Sequence, residues 1–336
     1  MAPTFRTAFL AALPRLTAPG ADSAALALFR YQARHSEVYG RWLAARRCDP
    51  ARVARVTDIP FLPISFFKTH AVQTGRGWAP REVFRSSATT GLTRSAHLVR
   101  DPAAYRRHAA RIWRATYGPL TRFAFGALLP NYLEQGDSSL VAMIAYFARA
   151  ARQPADPFFL HDHAGLLAAL DAAARAGRTP VLIGVSYALL DLVDALGPLT
   201  LPAGTMVLET GGMKGRRREL IRDELHAALT AGLGVSHIHS EYGMTELLSQ
   251  AYAPTGGHFR ETPWLRPLLR DTEDPLDVSE SRRTGGLNLI DLANVDSCAF
   301  IETQDLARRD PVAGTFEVLG RFDAADVRGC NLLVAG

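Results

Sequence analysis

Cysteine is scarce in this 336-residue chain: three residues, Cys48, Cys298 and Cys330, an odd number at wide spacing. That count supports neither a disulfide framework nor a zinc site, and it fits a reducing compartment. Lysine is scarcer still. Of 38 cationic residues only Lys68 and Lys214 are lysines, the rest being arginines. A lysine surviving in so arginine-rich a chain points to a place where an ammonium is wanted, with chance survival as the plain alternative. No apolar run approaches the roughly 18 residues of a membrane-spanning helix, and the amino-terminal stretch lacks an apolar core and a cleavage site, so neither a span nor a secretory signal is expected. The net charge is a mild +5, with basic residues spread along the chain. That argues against a nucleic-acid binder of the stripe or tail type. The patterns H-E-x-x-H, C-x-x-C, G-x-S-x-G and G-x-G-x-x-G are all missing, which removes the best support for zinc-protease, thioredoxin, α/β-hydrolase and dinucleotide-binding readings.

What is present is an ordinary globular composition, 48% hydrophobic and 21% charged, in a length that suits about two domains. A cytoplasmic enzyme is the expectation. Residues 1–56 read as helical, with Ala24–His35 and Tyr39–Arg46 the clearest stretches. The apolar segment from Ile59 to Lys68 contains Pro60 and Pro63, which block a regular helix, and is expected to pack as an extended rail. After a helix over 103–117, strand and helix patterns alternate. Strands are expected at Phe123–Leu129, Val181–Val185, Met206–Glu209 and Val235–Ile238; helices at Ser138–Arg152, Tyr187–Leu196 and Arg217–Leu229. Such alternation implies parallel α/β layers. Beyond about residue 255 turn-rich segments separate Gly286–Leu292, Cys298–Glu302 and Gly314–Leu319, a pattern of antiparallel or barrel-like strands.

Polar or glycine-rich clusters follow three of the expected parallel strands, Ser186-Tyr187 after Val181–Val185, Thr210-Gly211-Gly212 after Met206–Glu209 and His239–Glu246 after Val235–Ile238, the place where α/β sheets hold ligands. Ser86-Ser87-Ala88-Thr89-Thr90-Gly91, with Thr93 and Ser95, can aim hydroxyls and backbone N–H groups at phosphate oxygens, although it lacks the Walker A spacing and reads equally as a plain polar loop. Glu209-Thr210-Gly211-Gly212-Met213-Lys214-Gly215-Arg216 lets a planar group approach the backbone or is a simple strand-to-helix turn. Ser240-Glu241-Tyr242-Gly243-Met244-Thr245-Glu246 offers an aromatic face and carboxylates of the kind that hold Mg²⁺ beside phosphates; Glu241 also fits a solvated surface charge. Thr303-Gln304-Asp305, Gly320-Arg321-Phe322-Asp323 and Arg328-Gly329-Cys330 close the chain. Asp305 and Arg321 can share sugar hydroxyls, and the cation beside Cys330 favours its thiolate.

In this order the segments resemble the adenylate-forming superfamily of acyl-CoA synthetases, luciferases and peptide-synthetase adenylation domains. Ser86 to Gly91 resembles its S-[SG]-G-T-T-G loop, Tyr242 to Glu246 matches its Y-G-x-T-E motif, and Thr303-x-Asp305 with Gly320-Arg321-x-Asp323 resembles its ribose aspartate and hinge. Within the superfamily the chain is most similar to the acyl-protein synthetases of bacterial bioluminescence fatty-acid reductase complexes. Ile59 to Pro63 with Phe67-Lys68, Glu209 to Arg216 and Arg328 to Cys330 carry that likeness, which runs from about residue 57 to 333.

The resemblance implies an α/β fold, that of the N-terminal domain of adenylate-forming enzymes: layered parallel α/β sheets plus a smaller barrel-like β unit, lacking the usual C-terminal domain. It divides the chain into a helical segment (1–56), an α/β core with nucleotide-binding motifs (57–255), a β-rich subdomain (256–323) and a tail (324–336) carrying Cys330. It implies ATP and Mg²⁺ as cofactors. Ser86, Ser87, Thr89, Thr90 and Gly91 would handle phosphates; Gly211, Gly212 and Tyr242, with Gly243, would lie at the adenine; Asp305 and Arg321 would hold the ribose. Thr245 would contact the α-phosphate, Glu246 would hold the metal, and Cys330 would accept the acyl group. Ala88 departs from the loop's usual glycine, and the superfamily's C-terminal-domain lysine has no counterpart, which leaves Lys68 or Lys214 to supply a cation. The reading is thus activation of a carboxylic acid, fatty by resemblance, with transfer through Cys330 to a reductase or carrier protein. Direct transfer to an amine, alcohol or carrier thiol, and a non-catalytic nucleotide- or acyl-binding subunit, are the alternatives.

Overall fold

The computed structural model describes residues 4–87, 93–130, 136–212, 217–218 and 220–321. Ala88, Thr89, Thr90, Gly91, Lys214 and Cys330 lie outside the described residues. In chain order the helices are α1 (Phe5–Ala12), α2 (Ala18–His35), α3 (Glu37–Ala45), α4 (Phe66–Thr69), α5 (Pro102–Tyr117), α6 (Ser139–Ala150), α7 (His163–Arg175), α8 (Ser186–Leu196) and α9 (Arg222–Leu233). The strands are β1 (Leu62–Pro63), β2 (Glu82–Arg85), β3 (Ala96–Val99), β4 (Phe123–Leu128), β5 (Thr179–Val185), β6 (Met206–Thr210), β7 (His239–Tyr242), β8 (Ala251–Ala253), β9 (Phe259–Arg260), β10 (Leu265–Arg270), β11 (Val278–Ser279), β12 (Thr284–Asp291), β13 (Phe300–Asp310) and β14 (Thr315–Arg321).

The apolar strands β4, β5 and β6 pair in parallel in the order β4-β5-β6-β7, with β8 antiparallel at the end. Burial on both faces is what such a sheet requires. On β4, Phe123 and Phe125 meet Trp113 of α5, which also meets Phe147 of α6. Gly126 faces the other way, where a Cβ would come within 2.6 Å of the Leu166 side-chain end in α7 and that side chain would have to shift. Asp101, Ser138 and Asp162 cap the N-termini of α5, α6 and α7 through their side chains, satisfying backbone N–H groups that have no partner within the helix.

The second sheet runs β11-β10-β12-β13-β14-β9 and is antiparallel along that path, with β1 added in parallel to β13. The amino-terminal helices pack on it through Phe29 and Tyr39, and the proline-rich segment through Phe61, all three meeting Phe300. The Tyr39 hydroxyl and the Trp42 indole N–H donate to the carbonyls of Pro60 and Phe61 at 2.7 and 3.0 Å, fastening the proline-rich segment.

Several expectations are corrected. Residues 66–69 form one helical turn, because both prolines precede it and the His70 N–H closes onto the Phe66 carbonyl at 2.8 Å. The helix placed at 217–229 begins at Arg222: Ile221 is extended, and Arg217 is drawn away to Asp191 and Asp194 of α8. The strand placed at 235–238 lies at His239–Tyr242, where pairing with Leu208–Thr210 carries it. The hairpin β2–β3, helix α7 and strand β8 have no counterpart in the sequence reading.

Candidate functional site

Because β7 begins later than its hydropathy indicates, the polar run His239–Tyr242 is strand and only Gly243 onward is loop. Glu241 is therefore buried, not a solvated charge. Its side chain accepts a hydrogen bond from the Thr210 hydroxyl, its neighbour across the β6–β7 ladder. Burial pushes the Glu241 carboxyl up to about 7; the Thr210 hydroxyl opposes the rise and Glu209 adds to it. Glu209, on the opposite face, accepts from the Ser186 hydroxyl at 3.1 Å and lies 3.5 Å from His226 Nε2. Burial pushes the Glu209 carboxyl up, but His226, Arg222 and Ser240 together outweigh it and hold the group below its ordinary value.

At the carboxyl end of β7 the two sheets meet. The Tyr242 hydroxyl donates to Asp305 Oδ2 at 2.7 Å, and Arg321, the partner of Asp305 on β14, brings its guanidinium to 3.7 Å from Oδ1. The Tyr242 ring rests against Phe259 and Phe316. Burial raises the Asp305 carboxyl above its usual range, against the Tyr242 hydrogen bond and the charges of Arg321 and Arg270. Arg321 itself is exposed, so this corner presents a carboxylate and a cation side by side, a pair suited to vicinal hydroxyls.

Glu246 stands next to that corner and is buried. Burial raises its carboxyl, opposed by hydrogen bonding from Ser95 and from its own backbone and by the charges of Arg321 and Lys68. Lys68 follows the rail: β1 lies along β13, α4 turns the chain, and Phe67 packs edge-on to His97 at 5.9 Å. Lys68 is exposed, and its ammonium makes no hydrogen bond or ion pair among the described residues. His97 Nδ1 lies 2.8 Å from the Thr245 carbonyl. A carbonyl only accepts, so Nδ1 carries the proton; burial holds the ring neutral by pushing its pKa down to about 4.

The hydroxyl-rich loop springs from the β2–β3 hairpin. Ser86 N–H donates to the Ser95 carbonyl at 3.1 Å and Ser95 N–H to Ser86 Oγ at 2.9 Å. Arg94 closes the base, donating to the Ser86 carbonyl and to both oxygens of Asp137. Ser86 and Ser87 thus sit at the foot of the loop, while Thr89, Thr90 and Gly91 are not described. Gly211 leaves β6 with φ +72°, a conformation that favours glycine. A Cβ on Gly212 would meet nothing within 4 Å, whereas one on Gly243 would come 2.5 Å from Glu241 Oε1.

The structure therefore brings together Lys68, Tyr242, Thr245, Glu246, Asp305 and Arg321, with Ser95 and His97. It leaves Lys214 and Cys330 undescribed. Sequence reasoning missed His97, Asp291 and Asn294, which hold the motif from behind; the one signal was a charge inside the apolar run Leu287–Ala293. The donor set fits Mg²⁺, which takes one or two protein carboxylates and completes its shell with phosphate oxygens and water. No cluster of three or more His, Cys, Asp or Glu side chains capable of holding a metal exists among the described residues. No helix among them is long and apolar enough to cross a membrane.

No protein-family model matches the chain, and no curated protein does. Among solved structures it is similar to an ATP-bound RpMatB-BxBclM chimera, with a TM-score of 0.53 and 19% identity over 73% of this chain and 49% of that one. It is similar also to ATP-bound MatB from Rhodopseudomonas palustris, with a TM-score of 0.50 and 19% identity over 73% and 49%. The chain spans about half the length of these structures, and at this identity the likeness is one of fold. That fold is the mixed α/β fold of an adenylate-forming enzyme domain, as the sequence resemblance implied.

Proposed function

We propose that the chain is an ATP-dependent ligase that activates a carboxylic acid as its acyl-adenylate. The observation that carries this reading is the convergence of Tyr242, Asp305 and Arg321 beside buried Glu246 at the carboxyl end of β7. In the reaction a carboxylate oxygen attacks the α-phosphorus of ATP, the bond to the bridging oxygen breaks, and pyrophosphate leaves with that electron pair. Asp305 and Arg321 hold the ribose hydroxyls, while Tyr242, Gly211 and Gly212 flank the base. Ser86, Ser87, Thr89, Thr90 and Gly91 hold phosphate oxygens. The Thr245 hydroxyl and the Lys68 ammonium face the α-phosphate, with Lys214 the second candidate cation. Glu246 would hold Mg²⁺, which would neutralise phosphate charge. The protein's share is positioning and fixed charge, the usual means of promoting displacement at phosphorus.

The finer proposal is a fatty or similarly lipophilic acid. The Cys330 thiolate attacks the adenylate carbonyl and expels AMP, and the thioester is passed to a reductase or carrier protein. Its support is the likeness of Glu209–Arg216 and Arg328–Cys330 to acyl-protein synthetases. The test is Mg²⁺-dependent ATP–pyrophosphate exchange across fatty, aryl and amino acids. Exchange with one class of acid is the expected result; none with any acid, from folded protein that binds ATP, would favour a binding subunit.

A further inference from the structure

The segment between β7 and β8 is neither helix nor strand, yet Glu246, Leu247, Ser249 and Gln250 in it are buried and only Gly243 is exposed. Backbone polar groups there need partners from elsewhere, since an unpaired buried one is costly. Three side chains distant in sequence supply them. His97 donates to the Thr245 carbonyl at 2.8 Å and Asn294 Nδ2 to the Glu246 carbonyl at 2.8 Å. Asp291, fully buried at the end of β12, accepts from Leu248 N–H at 2.7 Å, Ser249 N–H at 2.9 Å and the Ser249 hydroxyl at 2.6 Å, and from Ala293 N–H at 3.0 Å in its own turn.

The donors of this network can be assigned. Arg111 only donates, so it gives a proton bond to His108 Nδ1 at 3.1 Å. His108 Nε2 then carries the hydrogen and gives it to Ser249 Oγ at 2.9 Å, which donates onward to Asp291. Every bond in the chain points toward the carboxylate, the arrangement in which successive hydrogen bonds strengthen one another. Packing alone does not supply this constraint. A cavity of about 40 Å³ lies behind the loop, lined in part by His97, His108, Leu248 and Ala293. It gives Leu248 room to retreat, because a void offers no atoms to press against.

We propose that Asp291 is a positioning residue for the nucleotide site, holding the Leu248–Ser249 backbone so that Thr245 and Glu246 stay aimed at the phosphates and their metal. The inference rests on the adenylation reading above. Asp291 bonds to Leu248 and Ser249, two and three residues past Glu246, and shares no hydrogen bond with Tyr242 or Asp305. Its removal should therefore loosen the metal end of the site and spare the ribose end.

The experiment uses the full chain and two calorimetric titrations: AMP without metal, which reads the Tyr242–Asp305–Arg321 corner, and ATP at increasing Mg²⁺, which reads Glu246. Asp291→Asn should leave AMP affinity unchanged and raise the Mg²⁺ concentration for half-maximal ATP binding about tenfold or more, the usual order for loss of a partner behind a metal ligand. Ser249→Ala, which keeps both backbone bonds, should move it the same way by less, and it decides the matter should Asp291→Asn not fold. Unchanged Mg²⁺ dependence in a folded variant, or equal loss of AMP and Mg²⁺-dependent binding, would overturn the proposal. Wild-type protein that binds neither nucleotide would refute the adenylation reading and this inference with it, a result seen before any variant is made.

Discussion

Tyr242 and Asp305, 63 residues apart, are joined by a 2.7 Å hydrogen bond that ties the last residue of one sheet's strand to the middle of another's. The bond orients a buried carboxylate so that its other oxygen faces Arg321. Asp305→Asn should weaken AMP and ATP binding about tenfold or more, the scale of a lost charged hydrogen bond. Tyr242→Phe should cost about 1–3 kcal/mol of stability, because it strips a donor from a buried acceptor. Calorimetric titration and urea denaturation read the two effects; a Tyr242→Phe protein as stable as wild type would show that the bond is not made.

Lys68 is exposed and unpaired among the described residues, yet its charge reaches buried Glu246. Lys68→Ala should lower pyrophosphate exchange on the order of a hundredfold, as removal of one transition-state donor does, with the unfolding midpoint unchanged. Lys68→Arg should not restore it, since a planar fork does not replace a compact ammonium. Normal exchange in Lys68→Ala alongside a large loss in Lys214→Ala would transfer the role to Lys214.

Cys330→Ser should leave pyrophosphate exchange intact and abolish any acyl-enzyme, because a hydroxyl is a far weaker nucleophile than a thiolate at neutral pH. Intact mass after incubation with ATP, Mg²⁺ and the acid that supports exchange decides it. An acyl adduct that persists in the variant places the acceptor elsewhere.

Glu241 holds its proton up to pH about 7 in the folded chain, while an ordinary carboxyl releases it near 4.5. Between those values the folded state binds more protons than the unfolded state, so stability falls as pH rises; above about 7 the deficit is constant, on the order of 3 kcal/mol. Glu241→Gln keeps an acceptor for the Thr210 hydroxyl and does not titrate. Its stability advantage over wild type should grow from pH 5 to pH 7 and then level off. Parallel denaturation curves for the two proteins across that range would contradict the assignment.

Gln32 on α2 spends its whole amide on one turn, donating to the carbonyls of Asn294 at 2.7 Å, Val295 at 3.3 Å and Ser297 at 3.1 Å and accepting from Ala299 N–H at 2.9 Å. Gln32→Ala strips these partners from the turn, where the Ser297 carbonyl keeps the Thr74 hydroxyl, and should lower unfolding free energy by about 3 kcal/mol. The same turn carries Asn294, so a modest loss of Mg²⁺ affinity is expected with it.

Helices such as α2, α5 and α6 were legible because one apolar stripe per turn is a local property of the chain. Strand β7 was misplaced by four residues for the opposite reason. His239-Ser240-Glu241-Tyr242 is polar enough to read as loop, and it is strand only because Thr210, His226 and Asp305 arrive from other elements to satisfy it. The hairpin β2–β3 was missed because its four-residue strands carry too few alternations to stand out.

The order of the motifs, their residue types and the alternation of strand and helix are written in the chain itself, and from them come the fold class and the chemistry to expect. Which carboxylate pairs with Tyr242 and Arg321, which is buried between strands, and which braces the loop from behind were decided by tertiary structure alone. Glu241, Glu246, Asp291 and Asp305 are alike as acids in sequence. Burial and the partners gathered around each, most of them distant in sequence, give them different work.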